Sequence, residues 1–260
     1  MDDQPLPLTG EALERALKKT GTPRGTRRWL LERAAIGTAG VAAFGAFDPA
    51  PAALASGDHI GVKTFGTVAV TTEALTVTLL TELLRRVNAN SGSVPPGVKA
   101  VFEGAYAAEV DHFRFTRAHW KPTTTKFWIP DAFFGGSGNK LSLTSVGHAL
   151  VAGETLFVNL YLIGVTVFAQ ARQDTFARYS AELAGCESEH RVLAETLLNA
   201  KPPNNVGFEV YKLQSPKGIE HALEGAGVGF GVKGSAPGKF YHLAHPIKPP
   251  PLHINANKPS

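Results

Sequence analysis

The sequence is poor in cysteine, which excludes the metal sites and cross-links that depend on thiols. Cys186 is the single cysteine among 260 residues, so the chain can form no intramolecular disulfide. Neither a four-cysteine metal site nor a Cys-x-x-Cys motif is available. Any metal bound by this chain must therefore be held by histidines and carboxylates.

A concentrated positive charge is also missing. The 26 Lys and Arg residues against 22 Asp and Glu leave a formal net charge of only +4, so the isoelectric point near 9.2 reflects a small surplus. Nucleic acid requires basic residues clustered on one face, and we expect no nucleic-acid partner. The 43% hydrophobic content is enough for a globular core in one large domain or two small ones.

The amino-terminal part contains no apolar run long enough to span a bilayer. Its mildly apolar run, residues 34–47, has about 14 residues, whereas a spanning helix needs about 20. A basic region with the pair Arg27-Arg28 precedes this run, and the sequence Ala-Leu-Ala at 53–55 follows it. This order is typical of a signal peptide with cleavage after Ala55.

The arginine pair, followed by Trp29 and two leucines, resembles the twin-arginine motif of signals that export folded proteins. The alternative is a basic, amphipathic amino-terminal helix. We expect residues 1–55 to be a signal peptide of the twin-arginine type, with the export machinery as partner of the precursor. The mature protein is then periplasmic or extracellular and has no stable membrane span.

Four long segments of the mature chain carry apolar residues at helical spacing. They cover about residues 61–87, 102–120, 143–171 and 174–200. The breaks NANSGSVPPG and residues 172–173 are short, whereas about 20 residues without helical periodicity, 121–140, separate the second segment from the third. This spacing predicts an all-α four-helix bundle over residues 56–203, with one long crossover between helices 2 and 3.

Residues 204–260 are rich in proline and glycine, and we expect an irregular carboxy-terminal extension packed on the bundle. It contains a candidate strand at VGFEVYKL and a candidate short helix at GIEHALEG. The alternating glycines from Gly225 to Gly231 resemble a nucleotide-binding loop only superficially, because no helix follows them. We interpret them as a structural loop.

Each predicted helix carries one glutamate near the middle of its apolar stripe, and the second and fourth add a histidine three residues later. The spacing i to i+3 places both side chains of a Glu-x-x-His pair on one helix face. A buried carboxylate is costly unless it is paired or bound to a metal. The six candidate metal ligands are Glu73, Glu109, His112, Glu154, Glu187 and His190.

The four glutamates lie at similar distances from the turns that join their helices, which would place them at one level along the bundle axis. Glu73 lies about 15 residues before the first turn and Glu109 about 13 after it, while Glu154 lies about 18 before the second turn and Glu187 about 13 after it. At about 1.5 Å per residue these depths agree within about two turns. The alternative is that some glutamates are solvated and the histidines are ordinary core or surface residues.

The pattern Glu, Glu-x-x-His, Glu, Glu-x-x-His, together with the long crossover, resembles the ferritin-like superfamily. The closer resemblance is to exported ferritin-like proteins related to desiccation-associated proteins, and it covers about residues 60–200. It implies that Glu109 and Glu187 bridge two metal ions, while each histidine and each single glutamate caps one. Such a carboxylate-rich site with two imidazoles fits two iron or manganese ions.

Several other residues are weaker candidates. Tyr106 and Tyr161 lie on the same stripes, where each is either a hydrogen-bond donor to a ligand or part of the core. We interpret Cys186 as a small packing residue. The spacing of three further histidines in the extension fits no compact metal motif; these are His242, His245 and His253.

The resemblance leaves three functions open. The first is a dimetal redox protein, acting on oxygen or peroxide in stress protection as a ferroxidase-like or peroxide-consuming enzyme. The second is metal buffering without turnover, and the third is a structural protein of desiccation or stress in which metal is incidental. A homo-oligomer is also open, and we place redox chemistry first because the ligand set is complete.

Overall fold

The structure, a computed structural model, describes residues 60–198, 213 and 215–244. The proposed signal peptide, nearly all of the candidate strand at VGFEVYKL, and both His245 and His253 lie outside the described residues. Most of the described chain is helical, as the sequence predicts. The four predicted long helices are all present: α1 Val62–Ala89, α2 Pro96–His119, α3 Leu143–Gln170 and α4 Asp174–Thr196.

Local signals in the sequence set several of these helix ends. Pro96 occupies the first turn of α2, where its missing N–H costs no hydrogen bond and its fixed φ suits the helix. The side chain of Ser142 caps α3 by accepting a hydrogen bond from the Ser145 backbone N–H at 3.2 Å. Arg172 takes a positive φ of 57° in the tight turn between α3 and α4.

The long helices pack as two hairpins. α1 packs along α2 and α3 packs along α4, while further contacts join α1 to α3 and α2 to α4. One apolar core lies between them and includes Leu83 of α1, Val110 of α2 and Leu160 of α3, all completely buried. The described part of the chain is therefore bundle-like.

A small antiparallel sheet departs from the predicted all-α class. The crossover contains strand β1, Lys126–Pro130, and a 3-10 helix, Asp131–Phe134. β1 lies between β2, Gly229–Phe230, and β3, Gly238–His242. A five-residue strand whose partners lie about a hundred residues further along the chain gives no periodic signal, so the sequence did not reveal it.

The described carboxy-terminal residues, 213 and 215–244, contain a helix and two strands where an irregular extension was predicted. Helix α5, Pro216–Gly225, forms where a short helix was predicted, and it packs on α1 and α3. The glycine-rich stretch after α5, which was interpreted as a structural loop, supplies strand β2. A Cβ on Gly229 would lie 2.1 Å from the carbonyl oxygen of Val232, so this close approach requires glycine.

Two of the described helices, α1 and α3, are long and apolar enough to cross a membrane by length and composition alone. In α1, 78% of the most apolar window is buried inside the protein, and in α3 half of it is. Core helices of folded proteins pass the same test, so this composition is weak evidence for a membrane span.

Candidate metal centre

The structure brings all six predicted ligands together in the interior. All six side chains are buried: Glu73 lies on α1, Glu109 and His112 on α2, Glu154 on α3, and Glu187 and His190 on α4. The most exposed of them, His190, has only 8% of its surface accessible. The i, i+3 spacing therefore directs both Glu-x-x-His pairs into the core, as expected from helix geometry.

The six residues form two overlapping groups of potential ligands. One group comprises Glu73, Glu109, His112 and Glu187, and the other comprises Glu109, Glu154, Glu187 and His190. Within each group, one ligand atom per residue lies within 4.8 Å of every other. Glu109 and Glu187 belong to both groups, so the two groups overlap in two carboxylates.

Each histidine faces the glutamate of the other motif. The Nδ1 atom of His112 lies 3.0 Å from Oε1 of Glu187, and Nδ1 of His190 lies 2.8 Å from Oε1 of Glu109. The Nδ1 atom of His190 also lies 3.2 Å from Oε2 of its own motif partner, Glu187. This reciprocal arrangement ties α2 to α4 at the level of the cluster.

Many buried polar atoms of the cluster make no hydrogen bond of good geometry. Among the described residues, the buried side-chain atoms that make no hydrogen bond of good geometry are Glu73 Oε2, Glu109 Oε1 and Oε2, His112 Nδ1 and Nε2, Glu154 Oε2, and Glu187 Oε1. Four of these atoms still lie 2.8 to 3.6 Å from an imidazole or carboxylate atom of the cluster: both oxygens of Glu109, His112 Nδ1 and Glu187 Oε1. All seven atoms belong to the six predicted ligands. Buried polar atoms in folded proteins are nearly always satisfied, so these atoms fit a ligand such as a cation.

The pKa shifts in the cluster reflect charges that are held close together without water. Burial, together with the charges of Glu109 and Glu187, raises the pKa of Glu73 well above its ordinary value. Burial and the same two charges raise the pKa of Glu154 in the same way. In the absence of a cation, these two carboxyl groups therefore favour the protonated form.

The shared carboxylate Glu109 behaves differently. Burial alone raises its pKa, but the adjacent His112 and His190 outweigh burial and hold it well below the ordinary value. Burial lowers the pKa of each imidazole, yet the neighbours outweigh burial and hold both pKa values well above the usual range. Glu187 has the largest raising effect on the pKa of His112, and the hydrogen bond with Cys186, followed by the two glutamates, has the largest on that of His190. Without metal, protons on the two histidines thus supply positive charge that a bound metal ion would otherwise supply.

Three further residues were weighed from the sequence as weaker candidates, and the structure describes all of them. The hydroxyl of Tyr161 donates a hydrogen bond to Oε1 of Glu73, so this buried tyrosine holds a candidate ligand in place. Tyr106, the other tyrosine considered, is also buried. The Sγ atom of Cys186 lies 3.8 Å from Nε2 of His190, so the interpretation of Cys186 as a packing residue alone missed this contact.

A second buried charged group, the Arg86 network, lies on α1 away from the cluster. Arg86 is completely buried, and its Nε donates to Oε1 of Glu82 at 2.8 Å. Its other nitrogens donate to the carbonyl oxygens of Gly136 and Lys140, at 2.6 and 2.8 Å, and to the hydroxyl of Tyr241 at 3.2 Å. Every charge of the Arg86 network has a partner within the protein.

Comparison with protein-family models found no matching family, and neither the search of curated proteins nor that of solved structures found a match. The chemical reading of the cluster therefore rests on its geometry. A buried group of four carboxylates and two imidazoles can hold metal ions, and its two overlapping ligand sets are compatible with a dimetal site.

Proposed function

We propose that the protein is an exported, ferritin-like four-helix bundle that binds two iron or manganese ions and reacts with dioxygen or peroxide in stress protection. The observation that carries this proposal is the pair of overlapping ligand groups that share Glu109 and Glu187. A single-ion site needs no shared carboxylates, whereas a pair of adjacent ions is held together by them.

The charge of the cluster supports two divalent ions. Four ionised carboxylates and two neutral imidazoles carry a charge of −4, which two divalent cations balance. Without metal ions, buried carboxylates at this density must take up protons or pair with protonated imidazoles. Oxygen and imidazole ligands without any thiolate favour iron or manganese.

Each of the six ligands and Tyr161 would have a distinct role in the proposed metal site. Glu109 and Glu187, which belong to both ligand groups, would be shared between the two ions, while His112 and Glu73 would complete the ligands of one ion and His190 and Glu154 those of the other. Tyr161 orients Glu73, and the packed helices exclude water from the cluster. When bound, the metal ions supply one-electron redox chemistry towards dioxygen or peroxide.

Elemental analysis of the purified protein tests this proposal. We expect close to two equivalents of iron or manganese per chain after anaerobic loading with the divalent ion, and oxidation of the bound metal on addition of dioxygen or hydrogen peroxide. Bound metal that never changes oxidation state would instead establish metal buffering. A folded protein that binds no transition metal would leave the structural, stress-protective role.

Export is a separate part of the proposal and is supported by residues 1–55 alone. Replacement of Arg27 and Arg28 together by lysine is expected to trap the precursor inside the cell, and the exported form is expected to begin near Ser56. Normal export of the double variant, measured by cell fractionation and amino-terminal sequencing, would refute the twin-arginine mechanism without affecting the metal site.

A further inference from the structure

Cys186 is a half-buried residue of α4 that lies beside both histidines of the candidate metal centre. It precedes His190 by four residues, and residues four apart on a helix are neighbours on one face. Neither of the two ligand groups found among the described residues includes Cys186. Its contacts with the imidazoles therefore need an explanation other than direct metal binding.

The two ring nitrogens of His190 face different groups. The Nδ1 atom lies 2.8 Å from Oε1 of Glu109 and 3.2 Å from Oε2 of Glu187, so this nitrogen faces the two shared carboxylates. The Nε2 atom lies 3.8 Å from Sγ of Cys186, within hydrogen-bonding reach of a sulfur atom. The imidazole is thus held by carboxylates at one nitrogen and by a thiol at the other.

His112 also turns its Nδ1 atom towards a glutamate, at 3.0 Å from Oε1 of Glu187. It is completely buried, and neither of its ring nitrogens makes a hydrogen bond of good geometry. Cys186 is nevertheless among its polar neighbours. The rings of His112 and His190 are tilted by 31° with centroids 5.8 Å apart, so one thiol serves two neighbouring imidazoles.

The chemistry of imidazole gives the sulfur a role. A neutral histidine can bind a cation through Nδ1 only if its proton is on Nε2. A buried N–H without an acceptor costs free energy, and metal-binding histidines accordingly donate their second N–H to a fixed group. For His190 the group that faces Nε2 is Sγ of Cys186, and a thiol sulfur is a weak acceptor.

We infer that Cys186 is a positioning residue of the candidate metal centre, whose sulfur accepts a hydrogen bond from Nε2–H of His190 and keeps Nδ1 directed at the shared carboxylates. Its contact with His112 extends the effect to the second imidazole to a smaller extent. The inference deepens the proposed function and rests on it in one respect, namely that a metal ion occupies the side that Nδ1 faces.

The contact is tested first in the metal-free protein, by ¹⁵N NMR of the histidine side chains. In the unmodified chain the Nε2 proton of His190 should exchange slowly with solvent. Cys186→Ala should make this exchange several-fold faster and shift the Nε2 resonance, and Cys186→Ser should restore slow exchange because its hydroxyl can accept the hydrogen bond. Ser188→Ala, at a buried position of the same helix, is the control and should change neither property. An unchanged Nε2 signal in Cys186→Ala would overturn the inference.

Metal affinity then distinguishes positioning from packing. Cys186→Ala should weaken binding of the ion held by His190 about tenfold, and Cys186→Ser should bind that ion more tightly than Cys186→Ala. A residue that only packs gives the reverse order, because serine buries a hydroxyl where alanine buries a methyl group. Titration with Mn²⁺ measures the affinity, and equal loss in the two variants would contradict a positioning role.

Cobalt loading distinguishes a positioning thiol from a ligand. A cobalt–thiolate bond gives an intense charge-transfer band in the near ultraviolet, and we expect none in the Co²⁺-loaded protein. A band that disappears in Cys186→Ala would make Cys186 a ligand and overturn the inference.

The two proposals fail in different ways. If the protein binds no transition metal, the proposed function fails, and the NMR result alone decides whether Cys186 holds His190. If two ions bind as proposed and Cys186→Ala keeps both the full affinity and the His190 signal, the proposed function stands and the positioning role fails.

Discussion

Helix α1 contributes to two buried charged groups that satisfy their charges in opposite ways. The Arg86 network pairs its guanidinium with a carboxylate, a hydroxyl and two carbonyl oxygens of the protein. The cluster around Glu73 has four carboxylates, no lysine or arginine among its members, and, among the described residues, seven buried polar atoms that make no hydrogen bond of good geometry. One group is complete within the chain, and the other requires something from outside.

The difference shows that two equally buried groups of charges can differ in whether the protein itself satisfies them. A buried charge stabilises a fold only when its hydrogen bonds are met, because desolvation otherwise outweighs the attraction. Arg86 meets this condition with its own chain. The Glu/His cluster, which has similar burial, meets it only by taking up protons or metal ions.

Loss of a shared carboxylate should have the largest effect. It tests most directly whether the Glu/His cluster, unlike the Arg86 network, depends on metal ions. In Glu109→Ala or Glu187→Ala both metal positions lose a ligand, so occupancy should fall from about two ions to nearly none. His112→Ala or His190→Ala should mainly empty one position. Metal content by elemental analysis checks this, with Glu103→Ala on the exposed face of α2 as control. Loss of a single ion in Glu109→Ala would contradict the shared geometry.

Arg86→Met should destabilise the protein by about 3–5 kcal/mol, because it leaves the buried carboxylate of Glu82 without its buried partner. The effect should be the same with and without metal. Arg85→Met is the matched control, since Arg85 pairs with the same glutamate but is about half exposed, and it should cost well under about 1 kcal/mol. Denaturant unfolding measures both, and a strong dependence on metal would show that the two groups are coupled.

The metal-free protein should lose stability as the pH rises above about 5. The pKa values of Glu73, Glu154 and both histidines are raised in the folded state, so folding takes up protons. The stability that this proton uptake provides is lost as the pH rises towards the pKa values of the folded state. Glu109 has a lowered pKa, so its contribution is lost only as the pH falls below its ordinary value.

The metal-loaded protein should show the opposite trend, because metal binding requires deprotonated carboxylates and neutral imidazoles. Thermal unfolding from pH 4 to 8, with chelator and with metal, should therefore give curves that diverge with rising pH. Glu73→Gln should flatten the metal-free curve, since the amide does not titrate. A metal-free curve that rises steadily across this range would contradict the assignment of buried, proton-binding carboxylates.

The smallest effect is expected from the two tyrosines that hydrogen-bond to a glutamate of each group. Tyr161→Phe removes the donor to Glu73 and should weaken metal binding about tenfold or more, with a stability loss of about 1 kcal/mol. Tyr241→Phe removes a contact of Arg86 and should change stability by a similar amount without changing metal affinity. Metal titration and denaturant unfolding together distinguish the two variants. Equal effects of both variants on metal affinity would contradict the separation of the Glu/His cluster from the Arg86 network.

The candidate site was predictable because its signal is local. The spacing of Glu109 from His112, and of Glu187 from His190, fixes a helix face, and the apolar stripes indicate which face is buried. Matched distances from the turns then bring the four glutamates to one level. All six residues predicted as ligands lie together, although their binding of metal stays a prediction.

The remaining features depend on residues far apart in the sequence. Arg86 occurs beside Arg85 in an ordinary basic pair, and only its contacts with the crossover and with Tyr241 show that it is buried. The sheet joins a five-residue strand to two remote partners. The residues that line a small cavity beside Trp120 come from four helices, and no periodicity indicates this meeting.

The position of β1 between two strands from the carboxy-terminal part constrains the order of folding. The indole N–H of Trp128 donates to the carbonyl oxygen of Ala236, 108 residues later, and Phe127 pairs with Tyr241. Contacts of such long range form late, because a large loop must close first. During synthesis the four long helices are translated before either strand that pairs with β1. Among the described elements, β1 can therefore complete its sheet only after residues 229–242 have been translated, and both of its edges stay unpaired until then.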